Sequence, residues 1–285
     1  QDLQEARILL NEDPVKTEGG LSSGNAGESS NFLCYRALRL NYYAVTGLLA
    51  RVCLYAGQRE NAFNYSTEVI KASNNGIFPF VDRSLVNGTA QDPDRIFSPE
   101  VLFALSDSQR GELFEEYFDP SLAPNMVFRM ETDLLEQTIY GGTGTGGNLD
   151  DYRCRSNWIS SGSARYFYKY SDMTESGRIE NTMIPLLRLG EMYLIAAESQ
   201  SNSLANGVSY INTLRKNRGV SNLQTLTTTL LQYEYIREVY GEGQLFFMYK
   251  RMYSSIIRSN SATNNPAPSN AVFVVPLPDT ETENR

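Results

Sequence analysis

The segment NYYAVTGLLARVCLYAGQRENAFNYSTEVI, residues 41–70, gives the strongest indication of the fold. On each side of Gly57 its apolar residues recur every three or four positions, which predicts two amphipathic helices. Asn41 is a typical helix N-cap, and glycine readily adopts the left-handed backbone with which many helices end. The segment therefore predicts a helical hairpin that turns at Gly57.

Small residues in this hairpin match a repeat pattern. With Gly57 as the turn, Leu49 and Ala50 match first-helix positions of a tetratricopeptide-like repeat, and Ala62 matches the small residue of its second helix. Small side chains at such positions let two helices pack closely. We therefore predict tetratricopeptide-like helix pairs.

A second helix pair is predicted at residues 185–217. Pro185 suits a first helical turn, because the N–H that proline lacks would have no partner there. The helical pattern breaks at Asn202-Ser203 and then resumes. A further helix is predicted from about Leu230 to Tyr240, followed by two glycines that end it.

These elements predict an all-α fold with small β-hairpins and long loops. Helical hairpins are expected near 35–73 and 185–218, and an insertion of loops and a hairpin is expected at 74–184. We predict that residues 1–285 form a single domain, built from helical repeats that do not make a regular solenoid.

The insertion contains a predicted β-hairpin formed by residues 155–159 (RSNWI) and 165–170 (RYFYKY). Every second side chain of a strand lies on the same face, and aromatic faces stack on the C–H surfaces of sugars. We therefore predict a ligand-binding row of four aromatic residues, Trp158, Tyr166, Tyr168 and Tyr170. The alternative is that these rings cover the helical core.

The composition excludes several classes of function. The 285 residues include 25 basic and 33 acidic ones, a formal net charge of −8, and the basic stripe of a nucleic-acid-binding protein is not visible. Histidine is absent from the sequence, which rules out Ser-His-Asp and Cys-His catalysis and histidine-dependent zinc hydrolysis. We expect no enzymatic activity, no metal, no cofactor and no nucleic-acid partner.

A few polar motifs remain as candidates for chemistry. The pairs Asp150-Asp151 and Glu115-Glu116 could act as acid and base of a glycosidase, but adjacent carboxylates rarely face one another across a sugar ring. Asp92 and Asp94 could ligate calcium, but no EF-hand loop surrounds them and a turn is favoured. The glycine-rich residues 141–147 lack the lysine of a phosphate-binding loop and are interpreted as a surface loop.

Two further glutamates are interpreted as structural. Glu234 and Arg237 stand three residues apart on a predicted helix and are expected to form an ion pair. Glu242 lies between two glycines, where it could face a ligand, but we expect it to pair with a nearby arginine such as Arg251.

Several segments resemble hallmarks of the RagB/SusD family, and they occur in the order typical of that family. They are DLQEARILLNEDPV near the start, RLGEMYLIAAE at 188–198, LRKNRGV at 214–220, EYIREVYGEGQLFFMYKR at 234–251 and VFVVPLPDTETENR at 272–285. The sequence departs from the family pattern at Tyr235 and Gln244, where arginine is usual, which indicates a divergent member.

The resemblance implies a mostly helical, non-enzymatic, nutrient-binding subunit at the bacterial cell surface. Proteins of this family are lipid-anchored in the outer membrane, cover a TonB-dependent, SusC-like transporter and capture glycans or other nutrients for import. The 285 residues resemble the C-terminal portion of the family fold, so the lipid anchor is expected to lie outside this sequence. That anchor is the only membrane attachment that the resemblance implies.

Two other functions stay open at this point. A helical-repeat scaffold could bind a protein or peptide in a concave groove without any small ligand. A carbohydrate-active enzyme is the third possibility, and turnover of a glycan by the purified protein would reveal it.

Overall fold

The computed structural model describes residues 1–23, 33–87, 92–142, 144–200, 203–260, 262–276 and 278. Its helices are α1 (Asp2–Leu9), α2 (Val15–Glu18), α3 (Tyr42–Tyr55), α4 (Arg59–Asn74), α5 (Arg110–Tyr117), α6 (Tyr152–Asn157), α7 (Leu189–Glu198), α8 (Val208–Lys216), α9 (Thr228–Val239), α10 (Leu245–Met252) and α11 (Asn270–Phe273). Its strands are β1 (Val101–Ser106), β2 (Arg129–Glu131), β3 (Trp158–Ser161), β4 (Ala164–Phe167) and β5 (Met183–Arg188).

Helices α3 and α4 form the predicted hairpin. The side-chain oxygen of Asn41 accepts a hydrogen bond from the N–H of Ala44 at 2.8 Å and so caps α3. Gly57 has φ of 76° at the turn, a backbone conformation that glycine adopts without strain. Ala50 and Ala62 are fully buried, as expected of the small residues that let two helices approach closely.

Helix α7 is the central element of the second helical unit. All of its residues are buried, and it packs against α4, α8 and α9. It begins at Leu189, so the predicted helical turn at Pro185 is wrong. Pro185 lies in β5, which pairs antiparallel with β1 and places Pro185 opposite Ala104. A short apolar run of this kind suits a buried strand as well as a buried helix, and the distant partner strand decides between them.

The predicted break after α7 is only partly described by the structure. Helix α7 ends at Glu198, and α8 begins at Val208 after a short 3-10 turn at Leu204–Gly207. Asn202 lies outside the described residues. Helix α9 spans Thr228–Val239, close to its predicted bounds.

The insertion carries a three-stranded sheet in the order β2-β4-β3. Strands β3 and β4 form the predicted hairpin, with Gly162 at φ of 61° in the turn. Residues 155–157 belong to α6, whose N-terminus is capped by the Asp151 side chain, and not to a strand as predicted. Strand β4 ends at Phe167, so the predicted strand face shared by three tyrosines does not form.

The described C-terminal segment contains one short helix. Residues 270–273 form the short helix α11, and Phe273 is buried. Among the helices described here, none is long and apolar enough to span a membrane.

Candidate functional site

A cleft of about 410 Å³ lies between the β2 edge, the end of α9, helix α10 and residues 256–260. We refer to it as the aromatic cleft. Its lining residues are Phe128, Arg129, Met130, Leu134, Ile236, Tyr240, Leu245, Phe246, Tyr249, Ile256, Ile257, Arg258, Ser259 and Asn260. It is concave and mainly apolar with a few polar groups, which is the usual character of a small-ligand site.

Asn260 fixes one wall of the aromatic cleft. Its side-chain oxygen accepts a hydrogen bond from the N–H of Glu131 at 3.0 Å, and its Nδ2 donates to the carbonyl of Arg129 at 3.1 Å. A single side chain thus satisfies both backbone groups at the free edge of β2. Residues 256–260 are thereby held against the sheet that carries Arg129.

The rings of the cleft are positioned by α10 and by the aromatic packing beneath them. Phe128 and Phe246 are 42% and 37% exposed, so each offers part of a ring face to a ligand. Tyr249 is buried, and its hydroxyl oxygen accepts a hydrogen bond from the N–H of Ile257 at 3.4 Å. Burial raises the pKa of Tyr249 to about 12, so the hydroxyl stays protonated at neutral pH.

Two of the predicted site residues lie behind the cleft rather than in it. Trp158 is 5% exposed and packs on Phe167 and Tyr240, with ring centroids 4.9 and 5.2 Å apart. Tyr170 is also buried, and its hydroxyl donates to the carbonyl of Gly241 at 2.7 Å. Both rings cover the core here, which was the alternative interpretation of the sequence. In this structure neither ring presents an open face to a sugar.

The other two predicted residues are half-buried and are not among the residues that line the cleft. Tyr166 stands in β4 between Ile159 of β3 and Arg129 of β2. Tyr168 follows the end of β4, and its ring lies 5.0 Å from that of Phe114 in α5. The structure therefore does not unite the four aromatic residues on one surface. Ligand contact by Tyr166 and Tyr168 stays a prediction.

A second concavity, the helical groove, has a volume of about 450 Å³ and lies between α3, α7, α9 and α10. Tyr55 and Phe247 are each 47% exposed at its mouth, with ring centroids 6.1 Å apart. Its charged residues are paired, because Arg51 binds both carboxylate oxygens of Glu191 at 2.7 and 2.6 Å and Arg251 binds Glu198. The groove thus offers apolar surface and few polar groups in need of a partner.

The comparisons with known proteins were consistent with this architecture. The SusD family model matches residues 107–272, which is more than half of the chain. The chain belongs to the SusD family. No curated protein sequence matches it.

Solved structures of the SusD family share this fold. A SusD-like carbohydrate binding protein and a putative sugar binding protein, both from Bacteroides vulgatus, align with TM-scores of 0.61 and 0.64 at 18% and 21% identity. Each alignment covers 99% of this chain and 62% or 61% of the solved chain. Surface glycan-binding protein A from Bacteroides thetaiotaomicron, in complex with laminarihexaose, aligns with a TM-score of 0.62 at 17% identity over 99% of this chain and 67% of its own.

The predicted family and the predicted mostly helical fold are therefore confirmed. At such identities the solved structures establish the fold alone. The chain spans about three-fifths of the length of the two Bacteroides vulgatus structures.

The segments that carry the SusD resemblance supply most of a buried ion network that the sequence did not reveal. Its members come from distant parts of the chain and are connected by ion pairs. They are Glu100, Asp151, Arg153, Lys169, Arg188, Arg215, Arg218, Glu234, Arg237, Glu238 and Glu242. The sequence indicated one of its ion pairs, between Glu234 and Arg237.

The network corrects one predicted ion pair and extends another. Glu242 binds Arg188 at 2.7 Å and also Lys169, whereas the predicted partner Arg251 binds Glu198. Glu234 does pair with Arg237, at 3.0 Å, but both side chains are fully buried, so this is not a surface contact. Both glutamates are structural, as the sequence indicated.

Three of the remaining polar candidates, Asp94, Asp150 and Asp151, have partners within the described structure. Asp151 is buried against Arg153 at 2.6 Å, while Asp150 is exposed and pairs with Arg155. Asp94 accepts hydrogen bonds from the backbone and hydroxyl of Ser98, consistent with a turn. Within the described part of the chain, no cluster of three or more possible metal ligands occurs.

The glycine-rich loop at 141–147 is tied down by an arginine of the network. Arg237 donates to the carbonyl of Thr145 at 2.8 Å and to the carbonyl of Ile139 at 2.7 Å. Residue 143 lies outside the described residues. Among the described residues of the loop, the carbonyl oxygen of Thr145 thus faces a guanidinium, which fits the interpretation as a structural loop.

Proposed function

We propose that the protein is a cell-surface nutrient-binding subunit whose aromatic cleft binds an oligosaccharide. The observation that carries this proposal is the combination, in one concave site, of partly exposed rings with hydrogen-bonding side chains at the rim. Among the structural neighbours, a laminarin-binding SusD-like protein and the laminarihexaose complex support a sugar as the ligand class.

The chemistry of the cleft suits a sugar. The C–H face of a pyranose ring packs on an aromatic ring, and Phe128 and Phe246 offer such surfaces. The hydroxyl groups of the sugar need donors and acceptors, which Arg129, Arg258 and Ser259 supply at the rim. In the part of the chain that the structure describes, neither aspartate nor glutamate lines the cleft, so no pair of glycosidase carboxylates is seen there, and we propose binding without turnover.

The same proposal includes a partner and a location. We infer that the protein works with a TonB-dependent, SusC-like transporter at the outer membrane and faces outward. Its membrane attachment would be a lipid anchor. Family membership supports this part of the proposal.

Neighbouring residues of α10 provide a matched test of the site. Phe246 lines the aromatic cleft, whereas Phe247 lines the helical groove. A glycan array followed by calorimetry with a bound oligosaccharide should show that Phe246→Ala weakens binding by about tenfold, or about 1.4 kcal/mol. Phe247→Ala should bind as the unaltered protein does. Equal losses in both variants, or no glycan bound at all, would contradict the proposed site.

The helical groove supports a second candidate function, docking of a protein or peptide. Tyr55, Phe247 and Val52 are each 47% exposed beside one another, which leaves an apolar surface of the kind that helices of partners cover. Under this alternative, Tyr55→Ala and Phe247→Ala would abolish binding to a purified transporter, and Phe246→Ala would not.

A further inference from the structure

The charged side chains that are seen to line the aromatic cleft are both positive. Among the described residues, its charged lining residues are Arg129 and Arg258, and no aspartate or glutamate of that part of the chain lines it. This is unusual in a chain whose formal net charge is −8. A neutral sugar requires no such bias, because its hydroxyl groups bind carboxylates and amides as readily as guanidinium groups.

Of the two arginines, Arg258 gives the stronger indication of an anionic ligand. Its Nη1 donates to the carbonyl oxygens of Ala262 at 2.9 Å and of Ser259 at 3.4 Å, and these bonds orient the guanidinium. No carboxylate lies within ion-pair distance of it in the ranges described above. Its side chain is half-buried, so a carboxylate placed there would meet the guanidinium in a partly desolvated site.

Arg129 is already partly compensated. Its Nη1 lies 3.3 Å from a carboxylate oxygen of Glu131, and the two side chains are 23% and 37% exposed. A pair of this length and exposure contributes little. The described residues therefore give the cleft a net positive charge, centred on Arg258.

We propose that the ligand of the aromatic cleft is an acidic oligosaccharide, with a uronate carboxylate bound by the guanidinium of Arg258 and pyranose faces packed on Phe246 and Phe128. This inference rests on the proposed glycan-binding function of the same cleft. Arginine and carboxylate match in planar, two-bond geometry, which gives the site a reason to prefer the acid over its uncharged analogue.

The test compares each acidic oligosaccharide with its carboxyl-reduced counterpart by calorimetry. Oligomers of galacturonate, mannuronate and glucuronate-containing repeats serve as probes. We expect at least one acidic probe to bind about tenfold or more tightly than its reduced form, a preference that weakens as salt is raised. Arg258→Gln should remove the preference. Arg155→Gln changes an exposed arginine paired with Asp150 outside the cleft and should retain it.

The outcomes separate this inference from the proposed function. If neutral oligosaccharides bind, Phe246→Ala weakens them, and acidic probes gain nothing or Arg258→Gln leaves the ratio unchanged, the acidic ligand is refuted while glycan binding stands. If neither acidic nor neutral probes bind, both proposals fail. Circular dichroism of the Arg258→Gln variant establishes that it is folded before its affinity is compared.

Discussion

The carboxylate of Glu238 accepts four hydrogen bonds from the guanidinium groups of three arginines. Its carboxylate oxygens accept from Arg188 at 2.9 Å, from Arg218 at 2.8 and 3.0 Å and from Arg153 at 3.0 Å. Burial alone would raise the pKa of Glu238, but Arg218, Arg188 and Arg153 lower it well below its usual range. The carboxylate is therefore held in its charged form at the centre of the network.

Removal of the negative charge of Glu238 should lower the stability of the folded protein. In the Glu238→Gln variant the side chain keeps its shape, but Arg153, Arg188 and Arg218 each lose one of their buried carboxylate partners, so we expect a loss of about 3 kcal/mol in the free energy of unfolding. Urea denaturation measures it. Asp150→Asn, which breaks the exposed pair with Arg155, is the control and should change stability little. A near-neutral Glu238→Gln would show that the network is dispensable.

Lys169 makes the stability of the folded protein depend on pH in the alkaline range. Burial and the neighbouring Arg188 lower the pKa of Lys169 to about 8, although Glu242 opposes the shift. The folded protein therefore binds fewer protons than the unfolded chain between about pH 8 and the ordinary lysine pKa of about 10.4. Over this interval the contribution of Lys169 to the free energy of unfolding increases as pH rises, so the folded state becomes more stable.

Substitution of Lys169 separates its contribution to the pH dependence of stability from the contributions of other titrating groups. Relative to Lys169→Met, the unaltered protein should gain stability as pH rises from about 8 to about 10. The measurement is the difference between the two free energies of unfolding in urea at a series of pH values. A difference that stays constant, or that falls with pH, would contradict the lowered pKa.

At the scale of elements, Asn41 joins α3 to the sheet below it. Its oxygen caps the helix, and its Nδ2 donates to the carbonyl of Leu102 in β1 at 2.8 Å and to that of Arg36 at 2.9 Å. Asn41 is fully buried, so water does not take the place of its amide group as the partner of these carbonyls. The residue thus sets the position of α3 relative to β1.

Asn41→Ala should cost more than the loss of an ordinary cap. A cap contributes about 1 kcal/mol and each buried group left unpaired adds about 1 kcal/mol or more, so we expect a loss of about 2–3 kcal/mol. Thr227→Ala removes only the cap of α9 at the N–H of Leu230 and should cost about 1 kcal/mol. Thermal denaturation of the two variants tests the difference, and equal losses would refute the second role.

Elements with helical periodicity could be predicted from the sequence, whereas elements fixed by distant partners could not. Helices α3, α4 and α9 followed from amphipathic spacing and their caps. Strand β5 did not, because a short buried run fits either structure until β1, more than seventy residues away, is known to pair with it.

The candidate site was harder to predict than the fold. The aromatic cleft is assembled from residues near 128–134, 236–249 and 256–260, and no local pattern connects them. The sequence did indicate an aromatic region near Trp158, but it could not tell an exposed ring from one that packs on Tyr240. Burial is decided by tertiary contacts, which periodicity does not report.

At the scale of the whole molecule, the network makes the insertion inseparable from the helix pairs. Arg153 from the insertion binds Glu234 and Glu238 of α9, and Arg218 after α8 binds Glu100, which precedes β1. We therefore predict that residues 1–285 unfold as one cooperative unit.

Trp158, the only tryptophan, makes this prediction measurable. It lies buried in the insertion, so its fluorescence follows that region, while far-ultraviolet circular dichroism follows the helices. The two urea transitions should have the same midpoint, as two-state unfolding requires. Glu238→Gln should move both midpoints to lower urea together, because it weakens the connection and not one region alone. A fluorescence transition at lower urea than the dichroism transition would mean that the insertion unfolds by itself.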